Sequence, residues 1–354
     1  MAVGVLIVDD SVFFRRALRE LITADDRLTV VGEAANGREA ILKACQLKPD
    51  IITMDVEMPI MDGISAVREI MNRCPAPIMM LSSLTKAGAV ATLEALDAGA
   101  VDFYPKSSND AQEVLGDGAR LLTTRLRLLA ARKQRQAIVA ESAARAPSTT
   151  TTTAPSHHAE RGIIGRRGLV VIGSSTGGPA ALQAVLQEIP ANFPVPIVIA
   201  QHMPASFTGP FAGRLNDSLP LKVVEAKDGI PLLAGTAYIV PGGKHGEVQC
   251  RSGALVFSER EPTAGENFRP SVNFLFQSAA QAAGSDVLAV VLTGMGDDGT
   301  EGARAVRAAS GHVWAQDQAT SVIYGMPAAV AKAGLTEAVL PLKEVGAAIS
   351  RSVR

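Results

Sequence analysis

The sequence predicts two α/β domains joined by a polar linker. Three observations carry this. Short apolar runs alternate with helical patterns over residues 1–125, the composition breaks sharply at 140–158, and the alternation resumes after Arg167. Alternating strands and helices imply a parallel sheet covered by helices on both faces.

In the first part, the apolar runs at 5–8, 30–32, 51–54, 78–81 and 101–104 read as buried strands. The stretches 12–24, 38–47, 63–72 and 89–97 show helical spacing, and a last helix starts near Asp110 and runs on through RLLTTRLRLLAARKQRQ. Five strand–helix units make one small doubly wound domain, residues 1–125. Residues 126–166 hold a helical extension and a linker containing APSTTTTTAPSHH. Such a segment has no apolar period and cannot bury enough surface to offset chain entropy.

Residues 167–354 form a second, larger domain. Strands are expected at 169–173, 195–200, 221–225, 237–240, 287–293, 312–316 and 338–340, and helices at 179–189, 206–216, 271–283, 299–309 and 328–333. The stretch 247–259 reads as an antiparallel hairpin turning at Ser252-Gly253. The fold class is therefore α/β, mostly parallel and doubly wound, with one hairpin in the second domain.

Composition narrows the function classes. With 354 residues the chain can bury two cores without staples, and its net charge of -1 gives no basic surface for nucleic acid. Cys45, Cys74 and Cys250 are widely separated and lack CxxC spacing, so neither a disulfide framework nor a zinc site is expected, and a reducing compartment fits. The start MAVGVLIVDD does not read as a signal peptide, and no apolar run reaches the ~20 residues of a bilayer span. These readings point to a cytoplasmic protein without membrane insertion.

Asp9 and Asp10 follow the first strand and Asp55 ends the third. In a flavodoxin-like order those two strands are neighbours, so three carboxylates meet at the carboxyl edge where such sheets bind ligands. Their mutual repulsion calls for a hard cation such as Mg²⁺. Ser82 after the fourth strand and Lys106 after the fifth are expected to point into the same mouth, where a hydroxyl and an ammonium suit phosphoryl oxygens. The set VDDS, MDVEMPIMDG, LSS and YPK resembles the response-regulator receiver family. That resemblance implies Asp55 as phosphoacceptor, and Asp9, Asp10, Asp55 and the Glu57 carbonyl as Mg²⁺ ligands. It also implies Ser82 as switch hydroxyl and Lys106 as phosphate-sensing lysine.

In the second domain LVVIGSSTGGP is a strand, a Gly-rich turn and a helix start. Such a turn either cradles an anion on backbone N–H groups or presents a serine, here Ser175 in G-x-S-x-G, beside an oxyanion site. A nucleophilic serine needs a base. Of five histidines, His157 and His158 lie in the linker and His312 begins a strand. His245 in PGGKH remains open, and His202 follows a buried strand at the same edge as Ser175. VLAVVLTGMGDDG brings Asp297 and Asp298 to that edge as carboxylates able to orient the base.

The stretches IGSSTGG, AQHMP, PGGKH, RPSVN and LTGMGDDG resemble the chemotaxis protein-glutamate methylesterase (CheB) family, across nearly the whole chain. The resemblance implies Ser175 as nucleophile, His202 as base, Asp298 as its orienter, and Thr176 and Met295 at the oxyanion and substrate pocket, with no cofactor for hydrolysis. It further implies demethylation of glutamates, and deamidation of glutamines, in the cytoplasmic domains of methyl-accepting chemoreceptors. A chemotaxis histidine kinase would be the phosphodonor, and the chain a monomer. The rival reading is a receiver-controlled binding module without catalysis.

Overall fold

The structure, a computed structural model, describes residues 2–106, 120–131 and 168–353. The chain divides into two compact units, residues 1–160 and 161–354. The expected linker, with His157 and His158, and the expected helix start near Asp110 lie outside the described residues.

The first unit is a five-stranded parallel sheet of β1 (Val3–Val8), β2 (Leu28–Ala34), β3 (Ile51–Asp55), β4 (Ile78–Ser83) and β5 (Asp102–Lys106) in the order β2-β1-β3-β4-β5. Central strands β1, β3 and β4 are buried almost throughout, which is why they read as continuous apolar runs rather than alternating ones. Helices α1 (Val12–Thr23), α2 (Gly37–Leu47), α3 (Gly63–Arg73) and α4 (Lys86–Asp97) link them, and α5 spans 120–131. Ser11, Asn36, Asp62 and Thr85 each cap a helix by accepting the N–H three residues on. These caps fix where each βα turn ends, and so where the carboxyl-edge side chains start.

One expectation fails here. Cys45 on α2 and Cys74 at the end of α3 are joined by a disulfide, with Cα atoms 5.3 Å apart. Their sequence separation of 29 hides the fact that α2 and α3 pack side by side, and only spatial proximity decides whether two cysteines can bridge. The cysteine argument for a reducing compartment falls with it. Cys250 is free and exposed.

The second unit is a seven-stranded parallel sheet in the order β14-β13-β12-β6-β7-β9-β8. Its strands are β6 (Leu169–Ser174), β7 (Ile197–Gln201), β8 (Lys222–Glu225), β9 (Thr236–Ile239), β12 (Val287–Val291), β13 (His312–Gln316) and β14 (Ala338–Leu340). The antiparallel hairpin β10 (His245–Arg251) and β11 (Ala254–Arg260) turns through Ser252 and Gly253, both at positive φ as a two-residue turn requires. The helices are α6 (Gly178–Gln187), α7 (Ala205–Ser218), α8 (Val272–Ala283), α9 (Thr300–Ala308), α10 (Met326–Lys332) and α11 (Leu342–Ser352). Hairpin residues Val248 and Phe257 are buried in one core with Val171 of the sheet and Phe276 of α8. Strand order reverses at β6, with β7 on one side and β12 on the other, which creates the crevice where doubly wound sheets bind ligands. Among the described residues no helix is long and apolar enough to cross a membrane.

Candidate active site

The crevice begins at the turn after β6. Ser175 N–H donates to the Thr293 carbonyl at 3.0 Å, and the Ser175 carbonyl accepts from Gly178 at 2.7 Å. The chain must pass tightly here. Gly177 has φ +73, and a Cβ on Gly178 would come within 1.9 Å of Gln201 Oε1. The Gln201 side chain ties the ends of β6 and β7 together: it accepts from Ser174 Oγ at 2.6 Å and donates to the carbonyls of Ser175 and His202 at 3.0 and 3.1 Å. Ser175 and Thr176 are both buried, and Thr176 Oγ1 has no hydrogen-bond partner. Thr293 Oγ1 donates to the Thr176 carbonyl at 2.9 Å, fixing the turn from the β12 side.

His202 follows β7, its backbone N–H donating to the Ser174 carbonyl at 3.1 Å, one residue from Ser175. Its Nε2 lies 2.8 Å from Asp298 Oδ2, which leaves Nδ1 as the ring nitrogen free of the carboxylate. Phe268 stacks on the imidazole, with centroids 4.7 Å apart and planes 10° from parallel.

Asp298 sits in the loop after β12 and meets the N-terminus of α8. Oδ1 accepts from Ser271 Oγ and Asn273 N–H at 3.0 Å each, and Oδ2 accepts from Val272 N–H at 2.7 Å as well as facing His202. The carboxylate thus satisfies helix-end donors that have no intrahelical partner. Burial alone would raise its pKa; the His202 ring and then the two backbone N–H groups overcome burial and hold it below the ordinary carboxylate value. It is therefore a charged acceptor, and His202 Nε2 carries the proton between them. Asp297, its neighbour, is exposed.

Met295 is half-buried in the same loop. It follows Gly294, where a Cβ would lie 2.2 Å from Met326 Sδ and 2.9 Å from Ser175 Cβ. The other two histidines among the described residues, His245 and His312, have partners of their own. His245 is buried, with Nε2 3.0 Å from Glu266 and Nδ1 accepting the Ser271 N–H at 3.2 Å. Burial pushes its pKa down against the pull of Glu266. His312 Nδ1 pairs with Glu337 at the start of β13, the strand end opposite the crevice.

In the first unit, ligand atoms of Asp9, Asp10 and Asp55 lie within 4.8 Å of one another. Lys106 Nζ is 2.8 Å from Asp9 Oδ2 and 2.7 Å from Asp55 Oδ2. Burial, opposed by the Lys106 ammonium and reinforced by the Asp9 charge, pushes the Asp55 carboxyl up to about 6. Glu57 is exposed two residues beyond. Ser82 stands at the end of β4, but its hydroxyl is fully buried and bonds to Thr92 Oγ1 and the Gly88 carbonyl on α4. The expectation that it points into the acidic mouth is not met: a short side chain at a strand end takes the nearest partners, and α4 supplies an acceptor in the Gly88 carbonyl and a donor in the Thr92 hydroxyl.

Several site residues carry no sequence signal of the kind used above. Phe268 lies in an irregular stretch with no period. Gln201 was legible in principle, as a polar residue at the buried end of an apolar strand. The N–H groups of Val272 and Asn273 are backbone and carry no residue signature.

Comparison with known proteins agrees with this architecture. The family description "CheB methylesterase" matches residues 170–349, and "Response regulator receiver domain" matches 5–115. An Aliivibrio fischeri protein named protein-glutamate methylesterase/protein-glutamine glutaminase is 49% identical over 365 residues, covering 98% of this chain and 97% of that one. A Vibrio cholerae protein named protein-glutamate methylesterase/protein-glutamine glutaminase 1 is 46% identical over 366 residues, with coverage of 98% and 97%. The crystal structure of the Thermotoga maritima CheB methylesterase catalytic domain aligns with a TM-score of 0.52 at 41% identity, covering 53% of this chain and 99% of that one. A Ser175 turn, a His202–Asp298 pair and an acidic receiver pocket on one chain, with relatives matched along almost their entire length, leave one assignment: this protein belongs to the CheB methylesterase family, with a response-regulator receiver domain ahead of its hydrolase domain.

Proposed function

We propose that the chain is a phosphorylation-activated hydrolase that removes methyl esters from glutamate side chains of chemoreceptor cytoplasmic domains, and deamidates receptor glutamines, in chemotaxis adaptation. The observation that carries the reading is the 2.8 Å His202–Asp298 pair at the strand end beside the buried Ser175 turn.

Asp298 holds Nε2–H, so Nδ1 of His202 is the base for Ser175. Ser175 Oγ attacks the ester carbonyl carbon as His202 takes its proton. The oxyanion is met by N–H groups of the Gly-rich turn after β6, each such donor being worth about 10²–10³ in rate. The C–OCH₃ bond breaks, His202 returns the proton to the methoxide oxygen, and methanol leaves. Water then cleaves the acyl-serine with His202 as base again, giving glutamate and free Ser175. From a glutamine, ammonia leaves in place of methanol. Thr176, whose hydroxyl is buried without a partner, and Met295 line the substrate side.

In the receiver, Asp55 is the phosphoacceptor for a histidine kinase of the same pathway. Asp9, Asp10, Asp55 and the Glu57 carbonyl would hold Mg²⁺, and three carboxylates within 4.8 Å fit a hard dication. That ion supplies charge neutralisation for the phosphoryl oxygens. Lys106, already between Asp9 and Asp55, is placed to follow a new dianion, and Ser82 must exchange its α4 partners to reach one. Residues 1–125 act as the regulatory domain, 126–166 as extension and linker, and 167–354 as the catalytic domain. The chain works as a cytoplasmic monomer without nucleic acid.

Methanol release from methylated receptor, with and without a small phosphodonor, tests this. The phosphodonor should raise the rate, and Ser175→Ala should abolish it while the protein stays folded. Turnover that survives Ser175→Ala ends the reading. Removing residues 1–150 should raise the unphosphorylated rate, and a truncated chain no faster than the parent contradicts inhibition by the receiver.

A further inference from the structure

Residues 261–270 form an irregular segment between the hairpin and α8. Within it, Glu266 gathers several hydrogen bonds. That carboxylate accepts from Thr263 N–H at 2.7 Å, from Arg260 Nη2 at 2.9 Å and from the buried His245 Nε2 at 3.0 Å. The Glu266 carbonyl accepts from Arg269 Nε at 3.2 Å, and Gly243 N–H donates to the Arg269 carbonyl at 3.3 Å. The Thr263 N–H first, then Arg260, hold the Glu266 carboxyl down to about 2, so the anchor is charged at any working pH.

Two residues after this anchor stands Phe268. It is 39% exposed, yet one face lies flat on the His202 imidazole. Its ring tip also approaches Gly296, where an added Cβ would be 3.8 Å from Cζ. The ring therefore bridges from the base to the loop that carries Met295 and Asp298.

The Asp298 hydrogen bond alone fixes Nε2 but acts as a pivot about which the imidazole can swing. A parallel ring in contact removes that second freedom and keeps Nδ1 in one direction. Stacking also gains strength when the imidazole is protonated, because an aromatic face attracts a cation. In the proposed reaction His202 takes a proton as Ser175 attacks, so the gain is made in the transition state.

Resting on the hydrolase reading above, we propose that Phe268 is a positioning residue for the reaction: held by the Glu266-anchored segment, its ring fixes the His202 imidazole and favours it as it takes the serine proton. The ring itself transfers nothing, so it acts through His202 and not on the substrate.

The test is steady-state methanol release by the full-length protein and its variants. Phe268→Ala should lower kcat about two- to tenfold, the scale of one aromatic stack, with KM changed less than about twofold. Phe268→Tyr should restore the parent rate, while Phe268→Leu, apolar but without a π face, should not. Glu266→Gln should lower kcat in the parent background and add little to Phe268→Ala, since both act through one ring. Parental kcat in Phe268→Ala, a loss confined to KM, equal rates for the Tyr and Leu variants, or additive effects of Glu266→Gln and Phe268→Ala each overturn the proposal while leaving the hydrolase reading intact. Absence of any methanol release by the parent overturns both.

Discussion

Asp298→Asn is the perturbation whose consequences the structure fixes most tightly. The carboxylate receives four donors: Ser271 Oγ and Asn273 N–H at Oδ1, and Val272 N–H and His202 Nε2 at Oδ2. An amide offers one acceptor oxygen. If that oxygen serves Oδ1's partners, its NH₂ faces both the Val272 N–H and His202. If it is flipped, the NH₂ faces the Asn273 N–H. Either way one backbone N–H at the buried start of α8 loses its partner, at a cost of about 1–3 kcal/mol. In the first orientation His202 is also driven to carry its proton on Nδ1, so it cannot accept from Ser175. Inverting the tautomer in this way costs on the order of 10⁴ in rate in the serine-protease triad. The assay pairs methanol release with urea unfolding followed by Trp314 fluorescence, which reports on the hydrolase domain. A large fall in kcat together with a stability loss of a kcal/mol or more is expected. Parental turnover in Asp298→Asn refutes the assignment of that carboxylate as orienter, and lost stability with parental turnover reduces it to a helix cap.

Further consequences can be read out separately. The Asp55 carboxyl is raised from 3.8 to about 6, so its ionisation is disfavoured by the fold. The cost is absent below pH ~4, grows as pH rises and is complete above ~6, reaching at most ~3 kcal/mol at 1.36 kcal/mol per unit. In EDTA at pH 8, Asp55→Asn should therefore slow hydrogen exchange of β1 and β3 amides, and the difference should vanish below pH 4; equal protection at pH 8 contradicts it. Because protons and Mg²⁺ compete for the same oxygens, Mg²⁺ affinity by titration calorimetry should weaken as pH falls through 6, and a flat profile from pH 5 to 8 contradicts that. Gly178→Ala places a Cβ where Gln201 Oε1 now lies, and forcing that buried amide aside should cost about 1–3 kcal/mol and most of the activity. A fully active, equally stable Gly178→Ala protein would show that Gln201 does not hold the Ser175 turn.

The parts of this protein legible in its sequence are those set by burial. The central strands carry apolar runs because both faces are covered, and from the strands follows the carboxyl edge that gathers Ser175, His202 and the Asp297-Asp298 pair. Spatial questions within that edge were not legible. Nothing in GDDG says which carboxylate turns inward; α8 decides it, by presenting N–H donors to Asp298. His245 stayed open for the same reason, until Glu266 and the Ser271 N–H accounted for both ring nitrogens. Helix α11 was missed although Val345 and Ile349 recur at helical spacing, because its pattern is short and follows the last strand directly. The Cys45–Cys74 bridge depends on the packing of two helices, and the Ser82 rotamer on two hydrogen-bond partners in α4. Sequence periodicity records neither.

Covalent labelling reports whether the Ser175 hydroxyl is activated. Full-length protein treated with a fluorophosphonate and analysed by peptide mass spectrometry should carry one adduct, on Ser175, formed far more slowly in His202→Ala and Asp298→Asn proteins. A protein that stays unlabelled, or whose adduct lies on another residue, would contradict the account that His202 and Asp298 activate the Ser175 hydroxyl.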